Sequence, residues 1–264
     1  MNITKLLVVV AMCVALVSCR SSSQAEFLSP EPLFESFSAE AVLTSETSTP
    51  TKLTRVEHAV RNAAVKVVDP EERGHGSGSY LRMHNRYVVV TAAHVVDDSQ
   101  YMWVEGRADE RVLGRVVYRD HKSDLALIMV PKLETRTAVN YRPRREADLV
   151  GDQVVYSGYP GKHDLLTIKG VVAGTKDNYV IVHTYGWFGA SGSGVYDRLG
   201  RLVGIVSALD VGMFYVPQPV EDIVWVAPIW ALDETIAKVR VLTEPDIPRS
   251  FPGAAAPRRG GVRD

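Results

Sequence analysis

Cysteine is almost missing from this 264-residue chain: it has two, Cys13 and Cys19, both within the first twenty residues. The remainder must fold without a disulfide and draw its stability from an apolar core. An excess of charge of either sign is missing too. Thirty Lys and Arg stand against 31 Asp and Glu, a net charge of -1, so nothing marks nucleic acid as a partner. Long hydrophobic runs are scarce. The apolar run at residues 6–17 falls short of the roughly 20 residues that span a bilayer. His58, His75, His84, His121, His163 and His183 show no metal-ligand spacing, so neither a metal nor another cofactor is expected. Gly74, Gly76 and Gly78 alternate, but no Lys follows them in the spacing of a phosphate-binding loop. There is no obvious long internal repeat.

What remains is an ordinary globular composition, 46% apolar and 23% charged, in a length that suits one large β domain or two small ones. Short apolar runs bounded by Gly, Pro, Asp and Asn read as strands. They fall at 65–68, 78–83, 87–91, 101–104, 112–118, 125–130, 153–157, 165–172, 179–184, 194–196, 202–208 and 222–227. A dozen strands so spaced predict an all-β sandwich or pair of barrels. Residues 56–64 have helical spacing, and 229–239 read as a closing helix. The stretch 131–147, with Glu134, Arg136, Arg142, Arg144 and Arg145, reads as a polar connection between two halves of six strands each. Before the folded region, 53–242, the Ser/Thr/Glu/Pro-rich segment 19–52 reads as a flexible tether. After it, 243–264, with its prolines, reads as a disordered and solvated tail.

Three residues stand in settings that suit acyl-transfer chemistry. His94 ends a buried strand through the small residues of Thr91-Ala92-Ala93, which leave room for a substrate beside the ring. Asp124 opens the apolar run Leu125-Ala126-Leu127-Ile128-Met129-Val130. A carboxylate there is costly unless hydrogen-bonded, and the His94 imidazole would satisfy it. Asp120 is the competing acid, but its neighbours Arg119, His121 and Lys122 favour a surface role. Gly189-Ala190-Ser191-Gly192-Ser193-Gly194 is a turn whose glycines expose a serine hydroxyl. Serine is a weak nucleophile until a base takes its proton, and the base in turn needs a carboxylate to orient it. The same turn would point the Gly189 and Ser191 N–H groups into one small space, an expected oxyanion hole. Read as residues alone, Ser193 remains an alternative nucleophile.

The chain order His94, Asp124, Ser191 with these flanking sequences resembles the trypsin-like (chymotrypsin-fold) serine proteases. The resemblance covers residues 56–239. Gly-x-Ser-Gly-Ser matches the family's Gly-Asp-Ser-Gly-Gly and selects Ser191 over Ser193. Gly76-Ser77-Gly78-Ser79 resembles the strand start of bacterial HtrA-like and glutamyl-endopeptidase-like members. Gly158-Tyr159-Pro160-Gly161 is similar to the turn that opens the second barrel, and Leu199 to Ser207 to the hairpin after the nucleophile. The resemblance implies an all-β chymotrypsin fold: two six-stranded antiparallel Greek-key β-barrels, about 60–131 and 150–228, with a C-terminal helix. It implies a peptide or protein substrate paired as an added strand along residues 207–209. Ala190 stands where digestive members carry the Asp that meets a new N-terminus, so activation by that route is not expected. Tyr185 replaces the Asp that confers Arg/Lys preference. Tyr185, Ser207 and Leu209 are the expected substrate-binding residues, favouring small or apolar side chains. The tail 243–264 is too short for a PDZ domain.

The N-terminus resembles a bacterial lipoprotein signal. Lys5 precedes the apolar run, and Leu16-Val17-Ser18-Cys19 resembles a lipobox, implying cleavage after residue 18 and lipid on Cys19. Several acyl chains on one residue would anchor firmly to a membrane. Arg20, where Asp favours inner-membrane retention, implies the periplasmic face of the outer membrane. An ordinary secretory signal or an uncleaved anchor is the alternative. The function expected is a lipid-anchored serine endopeptidase of the cell envelope. Its rivals are a silent peptide-binding protein of the same fold and an esterase or amidase acting on envelope substrates. The assembly state is not legible from the residues.

Overall fold

The computed structural model describes residues 53–146, 148–213, 217–245 and 247. The expected signal peptide, Cys19, the tether 19–52 and nearly all of the tail 243–264 lie outside the described residues.

Thirteen strands and three α-helices make up the described chain. Helix α1 (Arg55–Ala63) leads into β1 (Ala64–Val68), β2 (His75–Met83) and β3 (Arg86–Thr91). One turn of helix, α2 (Ala93–Val96), precedes β4 (Tyr101–Glu105), β5 (Arg111–Asp120) and β6 (Leu125–Met129). After β7 (Val139–Asn140) come β8 (Gln153–Gly158), β9 (Leu166–Lys176), β10 (Tyr179–His183), β11 (Gly194–Asp197), β12 (Leu202–Met213) and β13 (Pro217–Pro228). Helix α3 (Glu234–Thr243) closes the order. Strands run β1-β4-β5-β6-β3-β2, and β1 pairs again with β2, so six antiparallel strands close on themselves. The second barrel closes as β10-β13-β12-β11-β8-β9, also antiparallel. This is the chymotrypsin architecture expected from the sequence.

Period-two alternation explains why β3 and β6 carry continuous apolar runs: each face has its own core. On β3, Val89 enters the first barrel beside Val65, Val67, Tyr80, Ile128 and Val104. Val88 and Val90 point the other way, into a layer shared with Val155, Tyr196, Leu202 and Ile205 of the second barrel. Strand β6 repeats this, Ala126 and Ile128 inward and Leu125 and Leu127 outward. Val154, Tyr156, Val180, Val182, Val206 and Val226 fill the second barrel. Opposite faces of the same strands therefore build each barrel and glue the two together.

The helices tie the assembly. Thr54 caps α1 through a reciprocal pair: the Glu57 N–H donates to Thr54 Oγ1 (3.3 Å) and the Thr54 N–H to Glu57 Oε2 (2.8 Å). Val60 enters the shared core, and Arg61 Nη1 donates to the Leu165 carbonyl at 2.9 Å on the second barrel. Thr54→Ala is expected to lower the unfolding free energy by about 1 kcal/mol, seen as a lower urea midpoint at constant slope. An unmoved midpoint would mean that the cap is redundant with the Glu57–Lys169 ion pair. The closing helix starts later than its sequence pattern. Ile229–Ala231 form a 3₁₀ turn, and α3 begins only after Asp233, whose side chain accepts from the N–H groups of Thr235 and Ile236.

The connection between barrels is less superficial than its charges imply. It contributes β7, parallel to β2, and buries Arg136 and Arg144. Arg144 Nη1 reaches Asp152 at 2.5 Å and Asp197 at 3.4 Å. These partners, distant in sequence or in the next element, make burial of the guanidinium tolerable.

Candidate active site

The site forms where the two barrels face each other. Strand β3 delivers the chain to Ala92 and Ala93, both fully buried, and α2 then turns His94 outward with an exposed side chain. Asp124 precedes β6 in the left-handed region (φ +54°), a conformation that Asp tolerates better than most residues. From there its carboxylate takes three donors. His94 Nδ1 lies 2.9 Å from Oδ2 and 3.1 Å from Oδ1, and the His94 backbone N–H donates to Oδ1 at 3.0 Å. Ser207 Oγ donates to Oδ2. Burial pushes the Asp124 carboxyl upward, but the hydrogen bonds from His94 and Ser207 outweigh it and hold the group below its ordinary value. The acid is therefore ionised and fixes His94 by ring and backbone together. Asp120 is elsewhere, accepting from Ser123 Oγ at 2.6 Å and the Lys122 N–H at 3.0 Å in the turn before β6.

Ser207 reaches Asp124 because of a bulge. Val206 pairs with Val226 and Ala208 with Trp225, leaving Ser207 as the extra residue of β12. A bulge re-aims a side chain that regular pleating would direct elsewhere. The Ser207 carbonyl meanwhile accepts from Ser191 Oγ at 3.5 Å. One residue thus touches both the acid and the serine.

Ser191 lies in the loop between β10 and β11. Gly189 (φ +93°) and Gly192 (φ +89°) both adopt backbone that L side chains rarely enter. Ala190, Gly192 and Ser193 spend their N–H groups inside the fold, on Trp187, Val206 and Ala190 carbonyls. Among the described residues, the N–H groups of Gly189 and Ser191 have no backbone acceptor. Leu209 packs its Cδ2 into the space that a side chain at Gly186 would need. Tyr185 uses its carbonyl to accept from Tyr156 Oη, and it lines a separate cleft of about 1060 Å³ with His183, Glu221, Asp222 and the start of α1. Ser193, the alternative serine, is fully buried, with its Oγ unpartnered among the described residues. Among the described residues no group of three His, Cys, Asp or Glu side chains is placed to hold a metal ion.

Sequence reasoning missed how β2 and the turn after β8 hold the serine loop. Ser77 of β2 and Gly161 bond it directly, with Tyr159 bonded to the Ser77 hydroxyl and His75 to the Tyr159 carbonyl behind them. The Gly-Ser-Gly and Gly-Tyr-Pro-Gly motifs were the only trace of them in the sequence.

Two closed barrels with a His–Asp pair on one and a glycine-flanked serine on the other define a trypsin-like serine peptidase domain. Residues 76–205, which include all three, match the family described as trypsin-like peptidase domain. It is 27% identical over 147 residues to a protein of Haemophilus influenzae described as "Probable periplasmic serine protease do/HhoA-like", covering 52% of this chain and 31% of that one. It is 29% identical over 143 residues to the periplasmic serine endoprotease DegP of Salmonella typhimurium, covering 51% of this chain and 30% of DegP. The match thus spans about a third of these relatives. The solved serine endoprotease from Yersinia pestis shares the fold, with TM-score 0.56 at 23% identity, over 73% of this chain and 68% of that one.

Proposed function

We propose that this chain is a serine endopeptidase of the bacterial cell envelope. The observation that carries the reading is the ionised Asp124 gripping His94 through ring and backbone, with Ser207 bonded both to that carboxylate and to the Ser191 hydroxyl. In the proposed cycle, Ser191 Oγ attacks a peptide carbonyl while His94 Nε2 takes its proton. The carbonyl oxygen becomes an oxyanion received by the N–H groups of Gly189 and Ser191. Collapse breaks the C–N bond, and His94 returns the proton to the leaving amine. Water, deprotonated by His94, then releases the acyl group and restores Ser191. Asp124 stays ionised throughout and stabilises the imidazolium. Ser207 and Leu209 belong to the strand to which the substrate backbone adds, whereas Tyr185, in its separate cleft, is left out of this reading. The periplasmic names of the relatives support an envelope location, the Leu-Val-Ser-Cys19 sequence supports a lipid anchor, and Arg20 after it supports the outer membrane.

Fluorophosphonate labelling of wild type, Ser191→Ala and His94→Ala tests the chemistry. Labelling of the wild type alone is expected. A folded wild type that stays unlabelled would favour the silent peptide-binding reading. That reading draws on one observation, that the hydroxyl of Ser191 donates to the Ser207 carbonyl. Alkyne-fatty-acid incorporation in cells, lost in Cys19→Ser, checks the anchor.

A further inference from the structure

The strand-start motif Gly76-Ser77-Gly78 has no part in the proton relay, yet Ser77 sits between the two barrels with no exposed surface. Its N–H donates to the Ser191 carbonyl at 2.7 Å. Its Oγ donates to the Gly189 carbonyl at 2.7 Å and accepts from the Tyr159 N–H at 2.9 Å. We infer that Ser77 is a positioning residue that holds the serine loop in the form able to receive an oxyanion. The inference rests on the assignment of Ser191 as nucleophile.

Peptide geometry gives the reason. In a trans peptide the C=O and N–H point in opposite directions, so fixing a carbonyl fixes where the adjacent N–H aims. Along the loop, the carbonyl of Phe188 accepts from the Gly161 N–H (2.5 Å) and that of Ala190 from the Ser193 N–H (3.0 Å). Ser77 secures the other two, Gly189 through its hydroxyl and Ser191 through its backbone. All four carbonyls from 188 to 191 are therefore committed to the protein, and the N–H groups of Gly189 and Ser191 are left for a ligand. The hydroxyl also binds the turn that supplies Gly161, so one oxygen couples the Phe188–Gly189 peptide to the Gly189–Ala190 peptide. His75 braces the same place. Its Nε2 lies 3.1 Å from the Tyr159 carbonyl and 2.8 Å from the position a Cβ on Gly189 would take. Without the Ser77 hydroxyl, the Gly189 carbonyl and the Tyr159 N–H both lose their partner, and the Gly189–Ala190 peptide is held only by the Ala190 N–H on the Trp187 carbonyl.

Ser77→Ala removes the hydroxyl and keeps the backbone donor to Ser191. The test measures p-nitrophenyl acetate acylation and the second-order rate of fluorophosphonate labelling, both well below the unfolding midpoint, for wild type, Ser77→Ala and Ser191→Ala. Both reagents need the oxyanion site and neither needs an extended peptide subsite. The expected result is a fall of about 10²-fold in both rates, the size of losing one oxyanion donor. KM for the ester should stay within about twofold and the shape of the pH profile should not change, because Ser77 does not touch His94 or Asp124. Wild-type rates in Ser77→Ala would overturn this inference alone. So would a loss confined to KM, or one that tracks the unfolded fraction. An unreactive wild type would overturn the nucleophile assignment and this inference with it.

Discussion

Asp124→Asn is expected to cut acylation of Ser191 by roughly 10⁴-fold while the protein stays folded. The carboxylate now accepts from His94 Nδ1, the His94 N–H and Ser207 Oγ on its two oxygens. A carboxamide has a single oxygen. If that oxygen keeps the His94 backbone N–H, the NH₂ takes the place of Oδ2 and faces His94 Nδ1 at 2.9 Å. Nδ1 must then be the unprotonated nitrogen, and Nε2 carries the hydrogen. An imidazole in that tautomer has nothing with which to accept the Ser191 proton. Ser207 can turn its hydroxyl to accept from the NH₂, so the loss falls on catalysis rather than on the fold. The expected signature is a fall in kcat with little change in KM. A variant that acylates within about tenfold of wild type would remove Asp124 from the mechanism.

The same substitution has a pH-dependent effect on stability. The Asp124 carboxyl lies below its ordinary value in the folded state, because the hydrogen bonds from His94 and Ser207 overcome its burial. The unfolded chain therefore binds that proton more tightly. The stabilisation from the ionised carboxylate is complete above the unfolded value, about pH 4, and is lost as pH falls through the folded value. Urea unfolding should find wild type more stable than Asp124→Asn at neutral pH, with the gap narrowing on acidification below about pH 4. A gap that widens in acid would contradict the ionised assignment.

How far the sequence could be read follows from which forces leave a local pattern. Strands packed on both faces leave continuous apolar runs, and all twelve such runs became strands. Those patterns fade where pairing alone holds the chain. Strands β12 and β13 continue through Asp210↔Val220 and Val211↔Pro219, beyond the apolar run, because ladder hydrogen bonds require no hydrophobic side chain. The two-residue β7 has no period at all. Arg136 and Arg144 read only as part of a polar connection because their acceptors lie far along the chain or in another element. The convergence of His94 and Asp124 was legible from chain order and setting. The bulge that brings Ser207 to Asp124 was not, since a register shift between two strands has no signature in either alone. Ser77 was visible only as the middle of a glycine motif.

Two alanines, at Gly192 and Gly200, are expected to separate left-handed backbone from close approach. Both glycines have positive φ, +89° and +71°. At Gly200 an added Cβ meets only Val56 methyls at 3.9 and 4.0 Å. Gly200→Ala should cost about 1–2 kcal/mol, the strain of a left-handed alanine, with labelling of Ser191 unchanged. At Gly192 the Cβ would stand 2.0 Å from the Ser77 carbonyl oxygen and 2.2 Å from Thr91 Oγ1. Those two atoms are themselves hydrogen-bonded at 2.7 Å and lie in the wall of the first barrel. Neither can withdraw without opening β2 or β3, and the Gly192 N–H is already committed to the Val206 carbonyl. The loop must move instead, taking Ser191 away from His94 and its carbonyl away from the Ser77 N–H. Gly192→Ala is therefore expected to lose at least about 3 kcal/mol and all fluorophosphonate labelling. Urea unfolding and labelling of both variants decide the matter. Equal stability losses would mean that φ strain alone sets the glycine requirement, and a labelled Gly192→Ala would mean that the serine loop does not depend on its seat against β2.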